Sequence, residues 1–149
     1  AQSTAPFKVL VSGMVFDADV KKGDCWAHWP HERRALYDFI ATAKIPGVVL
    51  VGGDIHRSRV LRLPSKSTGV GYPLHEFVTS PLSKKIKERE INDDKRILCD
   101  IGEPHLVLVL EADTTVVPPK LEARIISGAR GEVYRLTLAA DELRPPSEK

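Results

Sequence analysis

The sequence predicts an α/β fold whose last part is an antiparallel meander. Residues 47–53 form a short, β-branched apolar run that ends in two glycines, which is typical of an inner strand covered on both faces. A helical pattern precedes this run, and segments that read as strands follow it. These observations place strands and helix in the alternating order of a layered α/β domain.

The first predicted elements are a strand at residues 7–11 and a helix that begins at Pro30. A loop through residues 21–24 lies between them. Proline suits the first turn of a helix, and the segment 45–47, which contains Pro46 and Gly47, ends it. The positions that recur at helical spacing are Arg33, Leu36, Tyr37, Phe39, Ile40 and Ala43.

Two further strands follow the apolar run, at residues 59–63 and 74–79, which gives the order β-α-β-β. The next segment, residues 84–96, is dense in charges of both signs and has no sustained apolar face. It predicts a solvated loop or a short exposed helix, and a mobile lid that offers its lysines to a substrate is the functional alternative.

The closing part of the chain carries three more strand signals, at residues 106–111, 121–126 and 133–138. The last two are joined by residues 127–131, whose glycines predict a hairpin. An antiparallel meander is the expected result, and residues 144–149 are expected to be a frayed tail.

Composition narrows the class of protein without indicating an activity. The 149 residues are 42% hydrophobic and 28% charged, which suits a single soluble domain or a large part of one. The net charge of +2 arises from 22 basic and 20 acidic residues, so it indicates neither a nucleic-acid-binding nor a membrane-binding surface. Cys25 and Cys99 are 74 positions apart, a spacing that indicates neither a zinc knuckle nor a disulfide framework and leaves open a pair or two free thiols.

The candidate site is the pair Asp54 and His56, directly after the glycines that end the buried run. In an extended backbone, residues two apart project to the same side, so the carboxylate and the imidazole would converge. Both groups bind divalent and trivalent cations, and ligands collect beyond the carboxyl ends of such strands. The structural alternative is an aspartate that caps a turn next to a surface histidine.

Other polar residues near this pair have two readings. Arg57 can hold a phosphate oxygen or pair with an acid of the fold, and Arg59 is the weaker candidate because it faces the other side of the strand. Glu76 is expected to orient the imidazole of His56 without binding the metal itself. A structural or surface position is expected for three other histidines, His31, His75 and His105.

Three ordered motifs resemble one family. Gly53-Asp54-Ile55-His56 is preceded by Trp26 with Pro30, Glu32 and Arg33, and it is followed by the segment 75–83. Together with the strand at residues 5–11, these motifs resemble the C-terminal part of the catalytic domain of PhoD-like phosphatases. That family belongs to the calcineurin-like metallophosphoesterases, so the resemblance implies the second half of a calcineurin-like αββα sandwich.

The resemblance also implies roles for particular residues. Asp54 and His56 would be ligands of a two-metal centre, with iron and calcium as the ions and zinc, manganese or magnesium as other possibilities. Trp26 would line the phosphate pocket, and Arg33 would fix the helix to the loop. The motifs of the first half of the family's domain are absent from these 149 residues, which implies a complementing chain or an N-terminal fragment of the same enzyme as a partner.

The predicted function is metal-dependent hydrolysis of phosphate esters, either monoesters or diesters, by an alkaline phosphatase of the PhoD type. The reacting residues would be Asp54, His56 and Arg57, and the substrate would contact Trp26, His28 and Arg57. The alternative is a non-catalytic interaction or scaffold fragment that retains the fold. By resemblance alone, we expect a periplasmic or secreted protein, although the sequence carries no signal peptide.

Overall fold

The computed structural model describes residues 3–17, 24–87 and 94–146. Three predicted segments lie partly outside these ranges, namely the loop at residues 21–24, the charged stretch at residues 84–96 and the tail at residues 144–149.

A five-stranded mixed sheet forms the first layer, with the order β1-β2-β4-β3-β5. β1 pairs with β2 and β2 pairs with β4 in parallel, whereas β3 is antiparallel to both β4 and β5. The carboxyl ends of β1, β2 and β4 therefore meet at one edge. The bounds are Lys8–Val11 for β1, Val48–Gly52 for β2, Ser58–Leu63 for β3, Leu74–Val78 for β4 and Ile97–Ile101 for β5.

Helix α1, Pro30–Thr42, lies between β1 and β2 in the chain, as its apolar spacing predicts. Proline occupies its first turn, and Tyr37 and Ile40 are its buried residues. Gly47 then turns the chain into β2 with a φ of 71°. Every residue of β2 is buried, which confirms the inner-strand prediction.

Three antiparallel strands form a second sheet in the order β6-β7-β8. They are Leu106–Asp113, Lys120–Ser127 and Gly131–Ala139, so each predicted strand is present and is longer than its sequence signal. Alternate residues of β7 are buried, because one face of this sheet covers the core. Leu121, Ala123 and Ile125 join the same buried cluster as the first sheet.

The sequence analysis did not predict β5 or the four-residue helix α2, Ser65–Thr68. β5 contains Ile97, Leu98 and Ile101, which suit a strand, but it is only five residues long and directly follows a charged segment, so the sequence analysis did not separate it from that segment. Its conformation depends on pairing with β3, where Arg59 lies opposite Asp100.

Candidate active site

The turn that carries Asp54 and His56 packs closely against the segment after β1. A Cβ atom at Gly52 would lie 3.0 Å from the Val15 Cα and 3.1 Å from the Met14 carbonyl oxygen. A Cβ atom at Gly53 would lie 3.4 Å from the Gly13 carbonyl oxygen. The paired glycines therefore allow two backbone segments to meet at the carboxyl edge of the sheet.

Asp54 and His56 both adopt left-handed backbone conformations, with φ angles of 71° and 56°. The backbone is therefore not extended here, and the expected reason for convergence of the two side chains is wrong. Instead, the turn buries Ile55, which is 8% exposed, while Asp54 is exposed and His56 is half-buried. Left-handed conformations of residues other than glycine are costly and occur often at functional sites.

The backbone of His56 is held from two other segments. Its N–H donates to the Ser80 Oγ over 3.0 Å, and its carbonyl oxygen accepts from the Lys87 N–H over 3.1 Å. Ser80 is held in turn, since its carbonyl oxygen accepts from the Ser58 Oγ over 3.0 Å. Within the described part of the chain, the imidazole of His56 makes no hydrogen bond, so both ring nitrogens are available to a ligand.

Arg57 and Arg59 form a buried ion-pair cluster with Asp100. The Arg57 Nε lies 2.8 Å from Asp100 Oδ1, and the Arg59 Nη2 lies 3.3 Å from Asp100 Oδ2. Arg57 Nη1 also donates to the Lys87 carbonyl oxygen over 2.7 Å. These contacts match the structural reading of both arginines, and a contact of Arg57 with substrate stays a prediction. Because both side chains reach the same carboxylate, the expectation that Arg59 faces the other side of the strand is wrong: residues two apart lie on the same side.

Glu76 supports the segment after β1. Its two carboxylate oxygens accept from the N–H groups of Phe16 and Asp17, over 2.6 and 2.9 Å, and the residue is fully buried. Burial is the main cause that raises the pKa of Glu76 to about 7, against the two amide hydrogen bonds, which lower it. Among the described residues, Glu76 makes no hydrogen bond to His56, so its expected orienting role has no contact to support it.

Trp26 lines a cavity of about 190 Å³ with Met14, Trp29 and Glu32. Its indole N–H donates to the Ser12 Oγ over 3.0 Å, and its ring stacks on Phe16 with centroids 5.3 Å apart. The cavity is apolar and adjoins the glycine turn through Met14, so it suits the apolar part of a substrate better than a phosphate group.

The remaining candidate residues lie on separate elements. His28 is exposed, and its ring lies 6.1 Å from that of Trp29. Arg33 donates to the Phe16 carbonyl oxygen and to Asp17, which ties α1 to the loop as the sequence analysis expects. Cys25 is fully buried, and both it and Cys99 are free thiols.

Asp54 and His56 are suitable donors for a metal, but they are only two. In residues 3–17, 24–87 and 94–146, no group of three or more His, Cys, Asp or Glu side chains is arranged to hold an ion. The same ranges contain no helix that is long and apolar enough to cross a membrane.

Sequence reasoning missed Ser80, Ser58 and Asp100, which hold the turn. Ser58 and Ser80 are small polar residues near the ends of strands. Their hydrogen bonds around the turn can be predicted only after the strand register is known. Asp100 lies 43 residues from Arg57, a separation that no local pattern shows.

Comparison with known proteins identifies the protein family. Residues 1–115 match PhoD-like phosphatases, whereas no curated protein matches the sequence. A solved structure of PhoD is similar to this chain with a TM-score of 0.63 and 17% identity, over 99% of this chain and 33% of that one. The chain therefore shares its mixed α/β fold with PhoD and spans about a third of its length. Because the family match covers most of the chain, this protein belongs to the PhoD-like phosphatase family.

Proposed function

We propose that this chain supplies part of a metal-dependent active site that hydrolyses phosphate esters. The observation that carries the proposal is the turn after β2, where Asp54 and His56 have left-handed backbones and side chains that are not buried. Family membership supports phosphoester chemistry. The turn supports a site at this edge, because strain of this kind persists only where the surrounding structure enforces it.

Asp54 and His56 fit a metal centre as two of its ligands. A carboxylate suits a hard ion such as calcium, manganese or magnesium, and imidazole suits iron or zinc. Bound ions would supply charge stabilisation and activation of water at phosphorus. The chain's own contribution is to fix the two ligands, through the hydrogen bonds of the His56 backbone to Ser80 and Lys87.

The substrate would lie between this turn and the Trp26 cavity. Trp26 and His28 would contact the ester, with the apolar walls of the cavity facing its leaving group. Arg57 would contribute a fixed positive charge behind the turn, because its guanidinium is held by Asp100. Monoesters and diesters both remain compatible with this arrangement.

The proposed complete enzyme includes a complementing segment or chain that provides the other ligands. β1 is an edge strand of the five-stranded sheet, and Val11 at its end is 74% exposed. An exposed parallel edge with an apolar end suits pairing with a further strand. The added segment or chain would complete a calcineurin-like sandwich. This proposal is consistent with the comparison, in which the present chain covers 33% of PhoD.

The test is a titration of the chain with Zn²⁺, followed by nuclear magnetic resonance of the histidine side chains. We expect saturable shifts of His56 and at least a tenfold weaker affinity in Asp54→Ala, because each ligand contributes strongly to a site with few donors. The control variant, Asp38→Ala, removes an aspartate that is exposed on α1. Equal Zn²⁺ affinity in the two variants would contradict the site.

Catalysis needs a separate measurement. The chain is mixed with the remaining part of a PhoD-like enzyme, and hydrolysis of an aryl phosphate monoester is compared with that of the diester. Activity that depends on both His56 and the added part supports the complemented enzyme. Zn²⁺ binding without activity in any mixture would favour the scaffold fragment, and cell fractionation would test the proposed periplasmic or secreted location.

A further inference from the structure

A second cavity, of about 430 Å³, lies between the beginning of β4 and the end of β8. His75 in this cavity is three residues before Val78 along β4, which places it about 10 Å from the edge that carries the Asp54 turn. Cavities of roughly 300–1,000 Å³ are the size that holds small-molecule ligands. The lining residues that matter here are Arg62, Pro73, His75, Leu98, Leu138 and Glu142.

His75 is a buried polar residue of this cavity that lacks a partner. It is 6% exposed, and within the described residues its Nδ1 has no hydrogen bond. Burial, assisted by the charge of Arg62, lowers the pKa of His75 to about 4, so the ring is neutral at pH 7. The Nδ1 atom is itself shielded from the cavity, so the ring forms a neutral, buried part of the cavity wall and is assigned no polar contact with a ligand.

Two opposite charges face the same cavity without pairing with each other. Arg62 lies directly across from His75 in the β3–β4 register, so both side chains are on one face of the sheet. In the described part of the chain, the Arg62 guanidinium has no ion pair or hydrogen bond. Glu142 accepts from the Ala139 N–H over 2.9 Å and has no cationic partner among the described residues.

We propose that this cavity binds a small zwitterionic molecule with an apolar body, of the class of the aliphatic amino acids. Its carboxylate would pair with Arg62, its ammonium group with Glu142, and its apolar part would contact Leu98, Leu138 and Pro73. A doubly charged anion such as phosphate fits less well, because the cavity offers one cation and also a carboxylate. This site is separate from the proposed catalytic edge and does not rest on the proposed function.

The experiment titrates the isotopically labelled 149-residue chain with three probes that share one isobutyl group. L-leucine carries both charges, 4-methylpentanoate carries only the carboxylate, and 3-methylbutylamine carries only the ammonium group. We expect L-leucine to shift the signals of His75 and Leu138 saturably and to bind about tenfold more tightly than either probe that lacks one charge.

Two variants test the contacts without disturbing the core. Arg62→Gln changes an exposed side chain, and Glu142→Gln keeps an oxygen that can accept from the Ala139 N–H. Each is expected to weaken the binding of L-leucine about tenfold. Arg130→Gln, a change of an exposed arginine that pairs with Glu103, is expected to leave the affinity unchanged.

The outcomes are distinct from those of the metal titration. Absence of saturable shifts with L-leucine up to its solubility limit would overturn the site. Equal affinity for 4-methylpentanoate would overturn the role of Glu142, and equal affinity for 3-methylbutylamine would overturn that of Arg62. Either result leaves the Asp54 and His56 proposal untouched.

Discussion

Removing the charge of Asp100 is expected to destabilise the protein strongly, because this carboxylate balances two buried arginines. The side chains of Arg57 and Arg59 are each 6% exposed, and that of Asp100 is 7% exposed. Asp100→Asn keeps the shape but removes the carboxylate that both buried guanidinium groups contact, which leaves only the charge of Asp94 acting on Arg59 through space. Breaking a buried pair by removing one partner typically costs about 3–5 kcal/mol.

We expect a value of about 3 kcal/mol for Asp100→Asn, since the remaining amide oxygen still accepts from one arginine. In a domain of this size, that loss lowers the melting temperature by roughly 6–12 °C. Urea unfolding followed by circular dichroism gives the free energy, and calorimetry gives the melting temperature.

The matched control is Asp38→Asn, which breaks the pair between Arg34 and Asp38 on α1, where both side chains are more than half exposed. This change is expected to cost less than about 0.5 kcal/mol. A triple change, Arg57→Met with Arg59→Met and Asp100→Leu, should recover most of the loss, since no charge is left unpaired. If Asp100→Asn costs no more than Asp38→Asn, the cluster is not a buried counter-charge system and the reasoning is refuted.

Two further predictions concern backbone strain and pH. Gly47→Ala should lower the free energy of unfolding in urea by more than about 2 kcal/mol, because Gly47 has a φ of 71° and the new Cβ atom would overlap the Pro6 carbonyl oxygen. The control, Gly131→Ala, has a φ of 74° but open space around the new Cβ atom, so only backbone strain of about 1 kcal/mol is expected. Equal losses in the two variants would contradict the overlap. For His75, the folded pKa of about 4 lies below the ordinary 6.5, so the unfolded chain binds the extra proton and stability falls as pH drops from about 6.5 to 4. Glu76, raised from 4.5 to about 7, acts oppositely, since stability falls as pH rises through that range. As pH falls from 7 to 4, the free energy of unfolding of His75→Gln should therefore rise by about 3 kcal/mol relative to that of the parent protein. A difference between the two proteins in urea unfolding that does not change with pH would refute this prediction.

Local patterns were enough to predict the elements that form around short-range spacing. Pro30 and the apolar positions after it predicted α1, and the β-branched run before Gly52 predicted β2. The motif from Gly53 to His56 indicated the PhoD-like family, which the family comparison confirmed. These features depend on residues that are close in the chain, so the sequence contains the whole signal.

Features that depend on distant residues could not be predicted. β5 pairs with β3, and its five residues are too short a signal beside a charged segment to be recognised without that partner. The left-handed backbones of Asp54 and His56 arise where the turn buries Ile55 and binds Ser80, which is 24 residues from His56. The sequence placed the pair correctly at the end of β2 but predicted an extended backbone.

The sequence by itself determined most of the element types and the family, and it indicated the candidate metal ligands, because periodicity and motifs are local properties. Only the tertiary structure decided which groups meet. It paired Arg57 with Asp100 across 43 residues and Glu76 with the Phe16 N–H across 60. Strand order decides which residues are neighbours, and burial removes water as a hydrogen-bonding partner. Buried polar groups are therefore paired with residues that are distant in the sequence.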